Sequence, residues 1–180
     1  MEIESLRLSG LQRLRLERFD DERGFFLESY RQPLYEKLGI PTRFVQDNLS
    51  FSHKGVVRGL HFSSGQAKLI SVVQGRIWDV ALDCRPDSPT FGQWEAIELN
   101  SEELTQFFIP AGFAHGYCAL SDTAYVQYKV STPYDPALER SIRWNDPSLQ
   151  IPWPARNPIV SQRDQTSPLF REVFATCISG

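Results

Sequence analysis

The chain holds three histidines, His53, His61 and His115, and their surroundings pose a choice between metal ligation and proton transfer. His115 ends the stretch Pro110-Ala111-Gly112-Phe113-Ala114-His115, and His61 lies in Gly59-Leu60-His61-Phe62-Ser63 with no acid close behind it. A mononuclear metal centre needs at least three converging ligands, usually His and carboxylate. His61 and His115 alone fall short, so no metal site is expected. An isolated histidine is more often a half-buried ring with a satisfied hydrogen bond than a catalyst. His53, in the turn-like Ser52-His53-Lys54-Gly55, is read in that way. The cysteines Cys84, Cys118 and Cys177 are odd in number and far apart, with no CxxC pair. They read as small apolar residues in a reducing, cytoplasmic setting.

The elements that must position these groups are short strands. Runs rich in β-branched and aromatic residues recur between turn signals: 69–73 before Gln74-Gly75, 77–82 before Asp83, 94–99 before Asn100, 106–109 before Pro110, and 124–130 before Ser131-Thr132-Pro133. Even spacing and tight turns predict an antiparallel sandwich or barrel. The run 77–82 alternates less cleanly than a half-exposed strand would, which predicts a central position. Helix is scarce, with short candidates at 32–38 and at 101–104, the second opening on Ser101 as N-cap. The pattern predicts an all-β, jelly-roll-like barrel with a few short helices.

The 180 residues suit a single domain spanning 1–180, and the twelve prolines and eleven glycines are spread without forming a linker. Apolar residues make up 41% and charged ones 23%, ordinary for a globular protein. A net charge of -3 offers no broad basic surface for nucleic acid, while leaving room for a local basic pocket that takes a small anion. The N-terminal stretch 1–24 mixes charged and apolar residues without an apolar h-region, so it does not read as a signal peptide. No apolar run approaches the roughly 20 residues of a membrane span.

The Pro110 to His115 stretch resembles the second half of a cupin motif, P-x-G-x-x-H, whose first half here retains one histidine. Arg58-Gly59-Leu60-His61-Phe62 followed by Gln66-Ala67-Lys68 resembles the dTDP-4-dehydrorhamnose 3,5-epimerase family. Further blocks agree in order: Arg23-Gly24-Phe25-Phe26-Leu27-Glu28, Gln46-Asp47-Asn48, Asp79-Val80-Ala81-Leu82-Asp83, Ser88-Pro89-Thr90-Phe91-Gly92, Trp144, Asp146-Pro147, Trp153-Pro154 and Ser161-Gln162-Arg163-Asp164. The resemblance covers roughly residues 20 to 168, and ordered agreement of separated blocks is far more specific than one motif. It implies a cupin-type jelly roll, usually a homodimer, that epimerises a dTDP-linked 4-keto-6-deoxy sugar at C3 and C5 without a cofactor, the substrate's own ketone being the electron sink.

Hydrogens on the carbons beside a ketone are weakly acidic. Moving one requires a base, a stabiliser for the enolate oxygen, and an acid on the opposite face. The resemblance makes His61 the base, Asp164 the carboxylate that orients it, Lys68 the cation at the sugar's O4, and Tyr128 the acid. It also implies that Arg23, Arg58 and Arg163 lie near the diphosphate or sugar, where arginine forks suit phosphate oxygens. Glu28, Gln46 and Asn48 match nucleotide contacts, and His115, Glu139, Phe26 and Tyr134 match further binding positions. Part of the N-terminal block, with Arg23 and Glu28, is implied to serve the neighbouring subunit. Taken singly, Lys68 would be an exposed strand lysine, Tyr128 a packed aromatic and Asp164 a loop or cap residue.

Two departures stand out. The segment 62–66 after His61 is shorter than is common in the family and lacks proline, and Ser131-Thr132-Pro133-Tyr134 keeps one tyrosine where two are often found. Both bear on whether one carbon or two is inverted, so a single-carbon epimerase is the nearest alternative. Readings of other classes are a metal-dependent cupin oxygenase or isomerase, which stoichiometric metal would support, and a noncatalytic sugar-nucleotide-binding barrel, which would bind without exchanging substrate protons.

Overall fold

In the computed structural model, which describes residues 1–178, the β-branched and aromatic runs are strands. In chain order come β1 (Glu2–Ser5), β2 (Gln12–Arg15), the hairpin β3 (Arg18–Asp21) and β4 (Gly24–Leu27), and helix α1 (Gln32–Lys37). Eight longer strands follow: β5 (Gln46–His53), β6 (Val56–Ser63), β7 (Lys68–Gln74), β8 (Arg76–Asp83), β9 (Trp94–Asn100), β10 (Thr105–Ile109), β11 (Phe113–Ala119) and β12 (Thr123–Val130). The chain ends with β13 (Glu139–Ser141), β14 (Ile159–Val160) and the short helices α2 (Gln162–Thr166), α3 (Phe170–Val173) and α4 (Ala175–Ile178).

One sheet has the order β1-β2-β10-β7-β12-β5 and the other β13-β6-β11-β8-β9, with β14 added parallel to β6. The expected all-β jelly roll is the observed architecture. Between the sheets, Ile70 and Val72 of β7 and Ala124 and Val126 of β12 pack on Ile77 and Ala81 of β8 and on Phe113 and Tyr117 of β11. A second apolar layer covers the outer face of the β6-β11-β8 sheet, where Leu60, Val80, Leu82 and Ala114 meet Ile142, Leu149, Phe170 and Phe174. A third joins Leu14, Leu69 and Phe108 to Tyr35 and Ile40 around α1. Each fully buried aliphatic or aromatic side chain contributes about 1.5–3 kcal/mol. Because β8 is covered on both faces, it has no solvent side to mark with polar residues, and the blurred alternation of 77–82 follows.

The helix expected at 32–38 is present as α1, with Pro33 in its first turn. The helix expected at 101–104 is absent, and this expectation is corrected. There the Asn100 side chain accepts hydrogen bonds from the backbone N–H of Glu102 and Glu103 at 3.0 and 2.7 Å, and Leu104 adopts a left-handed φ of 52°. Ser101 caps nothing; its hydroxyl accepts the N–H of Gly75 at 3.2 Å. Four residues cannot recover the cost of helix nucleation, so the Asx turn prevails. Among the described residues no helix is long and apolar enough to cross a membrane.

One close approach places the site. Gly59 of β6 has φ 116°, and a Cβ there would lie 2.6 Å from Gly116 Cα of β11; one at Gly116 would lie 2.7 Å from Arg58 O. Only glycine fits both positions. The register between β6 and β11 shifts just beyond this point, between His115 and Tyr117, and leaves His115 directly opposite His61.

Candidate active site

Alternation along each strand aims a defined set of side chains into the barrel. On β7, Lys68 shares a face with Ile70 and Val72; on β12, Tyr128 follows Ala124 and Val126; on β11, His115 shares a face with Phe113 and Tyr117. At one end of the barrel Lys68, Tyr128, His115 and Tyr117 line a cleft of about 690 Å³ whose walls are β5, β7 and β12 on one side and β6 and β11 on the other. The tail that carries β14 and α2 closes it with Val160, Ser161, Arg163 and Asp164.

His61 projects from β6 with its side chain 27% exposed, and its Nε2 lies 2.6 Å from Oδ1 of Asp164, which is 4% exposed. The second carboxylate oxygen accepts the backbone N–H of Gly59 at 3.2 Å. Asp164 sits in the first turn of α2, where Ser161 acts as N-cap by accepting the Asp164 N–H at 3.1 Å. Burial works to raise the Asp164 pKa. The hydrogen bond and charge of His61, with the bonds from Gly59 and Ser161, outweigh it and hold the carboxyl below its usual value. The ring is thus fixed through Nε2, and Nδ1 is the nitrogen left to act on a molecule in the cleft.

Lys68 is almost fully buried, and its Nζ donates to the backbone carbonyl of His61 at 3.2 Å. Burial lowers its pKa to about 8, against the upward pull of Glu139 and Asp79. At neutral pH it remains a cation, in a setting where water screens it poorly. Tyr128, paired with Ile70 of β7 and Asn48 of β5, lies on the sheet facing that of His61. Burial raises its pKa, with smaller contributions from Tyr117 and Glu139, so its phenol keeps its proton. A flat ring held between the sheets would have an imidazole on one side, a phenol on the other and an ammonium beside both.

Of the other expected residues, Gln46, Asn48, Arg58, His115, Tyr134, Glu139 and Arg163 all line the cleft. Gln46 donates to Asn48 at 2.8 Å and accepts the Tyr134 N–H at 2.9 Å, which ties β5 to the segment after β12. Arg58 is steadied by Ser52 Oγ at 3.0 Å and Phe51 O at 2.9 Å, and Arg163 is paired with Glu139. Arg23, Phe26 and Glu28 stand apart from the cleft. They belong to the β3–β4 ribbon and its continuation, where Arg23 pairs with Asp21, Glu28 with Arg31, and Phe26 is 70% exposed.

His115 is held by a second buried acid, Asp79 of β8, at 2.9 and 3.0 Å from its Nε2. Sequence reasoning missed this residue as a site member, although strand period alone aligns Asp79 with the inward-facing Ile77 and Ala81. It also missed Tyr117, whose hydroxyl bridges Ser50 and Ser52 at 2.9 Å each. Among the described residues no group of three or more His, Cys, Asp or Glu is gathered as a metal ion would require.

Comparison with known proteins places this geometry in context. A family model described as dTDP-4-dehydrorhamnose 3,5-epimerase matches residues 5–172. The chain is 49% identical over 156 residues to the dTDP-4-dehydrorhamnose 3,5-epimerase of Shigella flexneri, covering 84% of this chain and 86% of the relative. It is 39% identical to the dTDP-4-dehydrorhamnose 3-epimerase of Streptomyces niveus, covering 98% and 91%. A crystal structure of the 3,5-epimerase of Legionella pneumophila in complex with dTDP-4-keto-L-rhamnose superposes with a TM-score of 0.93 at 44% identity, covering 98% of this chain and 96% of that one.

Proposed function

The chain belongs to the dTDP-4-dehydrorhamnose 3,5-epimerase family and is an isomerase of deoxysugar biosynthesis; from that premise we propose that His61, Asp164, Lys68 and Tyr128 carry out the inversion of C3 and C5 in a dTDP-4-keto-6-deoxyhexose. The observation that supports this reading above others is the placement of the Asp164-held imidazole and the Tyr128 phenol on facing sheets, with the buried Lys68 ammonium alongside.

The steps follow from that placement. His61 Nδ1 takes the proton from C3; the C–H electron pair becomes a C3–C4 double bond and the carbonyl pair moves onto O4. Lys68 neutralises the oxyanion where the surrounding protein screens charge weakly. Tyr128 then donates its phenolic proton to C3 from the opposite face, the double bond returns to O4, and the carbon is inverted. Imidazolium and phenolate exchange protons with solvent, and the same sequence serves C5. Asp164 orients the imidazole and stabilises its charged form between the two transfers. The chain's own groups suffice for each transfer, with the ketone as electron sink.

Arg58 and Arg163 supply cations at the cleft for the diphosphate. Arg23 and Phe26, exposed on a ribbon that lines no part of this cleft, and the half-buried Glu28 just after it suit a role in the cleft of a second copy, so the working form is a homodimer. The free cysteines fit a cytoplasmic setting.

The test is incubation with TDP-4-keto-6-deoxyglucose in heavy water, followed by NMR. Deuterium at C3 and C5 is the expected result. Deuterium at C3 alone would assign the chain to the single-carbon chemistry named for its Streptomyces niveus relative, and no label at either carbon from folded, nucleotide-binding protein would overturn the catalytic reading.

A further inference from the structure

Asp79 is an unusual residue for its position. It stands on β8 between Ile77 and Ala81, both packed in the apolar layer between the sheets, and its side chain is completely buried. A carboxylate moved from water into such a layer costs several kcal/mol unless it is paired. Among the described residues its one close partner is His115, whose Nε2 lies near both carboxylate oxygens; a single N–H cannot satisfy the two together, and among those residues Oδ1 has no well-aligned hydrogen bond. An apolar residue of similar size would stabilise the core better, so the charge serves something other than packing.

Two other groups in the barrel stand to gain from it. His115 lines the cleft and lies opposite His61 in the β6–β11 register, so the ring that Asp79 grips is the neighbour of the base. Lys68, itself buried, projects into the same interior from β7, and the negative charge of Asp79 acts on it. Groups facing Lys68 are His61 from β6, Asp79 from β8, His115 from β11, Tyr128 from β12 and Glu139 from β13. Of the two acids among them, Asp79 is the one with no exposed surface.

We propose that Asp79 is a positioning residue of the epimerisation: its buried carboxylate locks the His115 ring through Nε2 and supplies the fixed negative charge opposite Lys68 in the enolate-stabilising corner of the cleft. The proposal rests on the reaction assigned above. Asp79 does not touch the substrate; it acts through His115, which presents Nδ1 as an acceptor towards the cleft, and through Lys68. Burial raises the Asp79 pKa above the usual carboxylate value, and His115 and Lys68 oppose the rise in part. Asp79 and Lys68 are therefore coupled, each opposing the neutral form that burial favours in the other.

Asp79→Asn keeps the size of the side chain and an oxygen for His115, and it removes the charge. The expected result is a fall in kcat of about tenfold or more with KM little changed. The alkaline limb of the rate profile should also move to lower pH, because Lys68 without its countercharge loses its proton sooner. A variant that binds TDP, melts as a folded protein and keeps both the wild-type kcat and the wild-type alkaline limb would overturn the proposal. Nitrogen-15 NMR of the unmodified protein tests the grip without any variant. His115 should be a single tautomer protonated at Nε2, and protonation at Nδ1 would equally overturn it. If the unmodified protein incorporates no deuterium into the sugar, the reaction assignment fails; if it does and Asp79→Asn matches it, only the positioning role fails.

Discussion

Asp164 and His61 lie 103 positions apart in the chain and 2.6 Å apart in space. The contact is made by folding the C-terminal tail over β6, where β14 adds as a parallel strand and delivers α2 to the mouth of the cleft. Asp164 also accepts from Gly59, two residues before His61, so a single carboxylate fixes both the ring and the strand that bears it.

Removing the base should stop the chemistry and spare the binding. His61→Asn is expected to lower deuterium incorporation at both carbons by about 10³-fold, within the range that general-base catalysis contributes. Affinity for TDP, measured by calorimetry, should stay within a few-fold because the arginines are untouched. Asp164→Asn should fall between this variant and the parent, since it leaves the base present but poorly oriented.

With Lys68 as the proposed enolate stabiliser, the reaction has an alkaline limit. The Lys68 pKa is lowered to about 8 by burial, and the useful form is the cation. Activity, measured as kcat/KM, should therefore decline as pH rises through that value. Lys68→Met should remove this limb and lower kcat by about 10²-fold or more, in line with the loss of one oxyanion partner.

Tyr128→Phe separates proton removal from inversion. With His61 intact, the variant should still exchange the substrate proton for deuterium, because base and enolate stabiliser remain. Product inverted at the labelled carbon should fall by about 10²-fold, since the opposite face lacks its acid. NMR reads both quantities in one sample, and equal loss of exchange and inversion would contradict the role of Tyr128.

The β3–β4 ribbon should be an intersubunit element. Phe19, Phe25 and Phe26 are all more than half exposed on it. Analytical ultracentrifugation is expected to give a dimer, and Phe26→Ser to weaken nucleotide binding without unfolding the barrel. A monomer with full activity would refute this assignment.

Much of the site was legible in the sequence because strand geometry is local. A side-chain period of two tells which residues of a run share a face, so Tyr128 could be placed on the strand 124–130, and an ordered set of motif blocks could attach expected roles to it, His61, Lys68 and His115. The same rule held the evidence for Asp79, in line with Ile77 and Ala81, but an acid in an apolar strand reads as a polar face until the sheets are seen to close over it. The turn at 101–104 shows the opposite failure: a favourable capping residue suggested a helix, whereas the competing side-chain bonds of Asn100 took the backbone.

By itself, the sequence determined the strand-rich class and the chemical types on offer. The tertiary structure decided which of them meet. His61 faces His115 because two glycines allow β6 and β11 to approach and shift register, Asp164 reaches His61 because the tail returns along β6, and Tyr128 stands across from both because its strand belongs to the other sheet. Those meetings depend on strand order and register between segments far apart in the chain. Local pattern is blind to both, because the energy that selects them comes from burying the shared faces together.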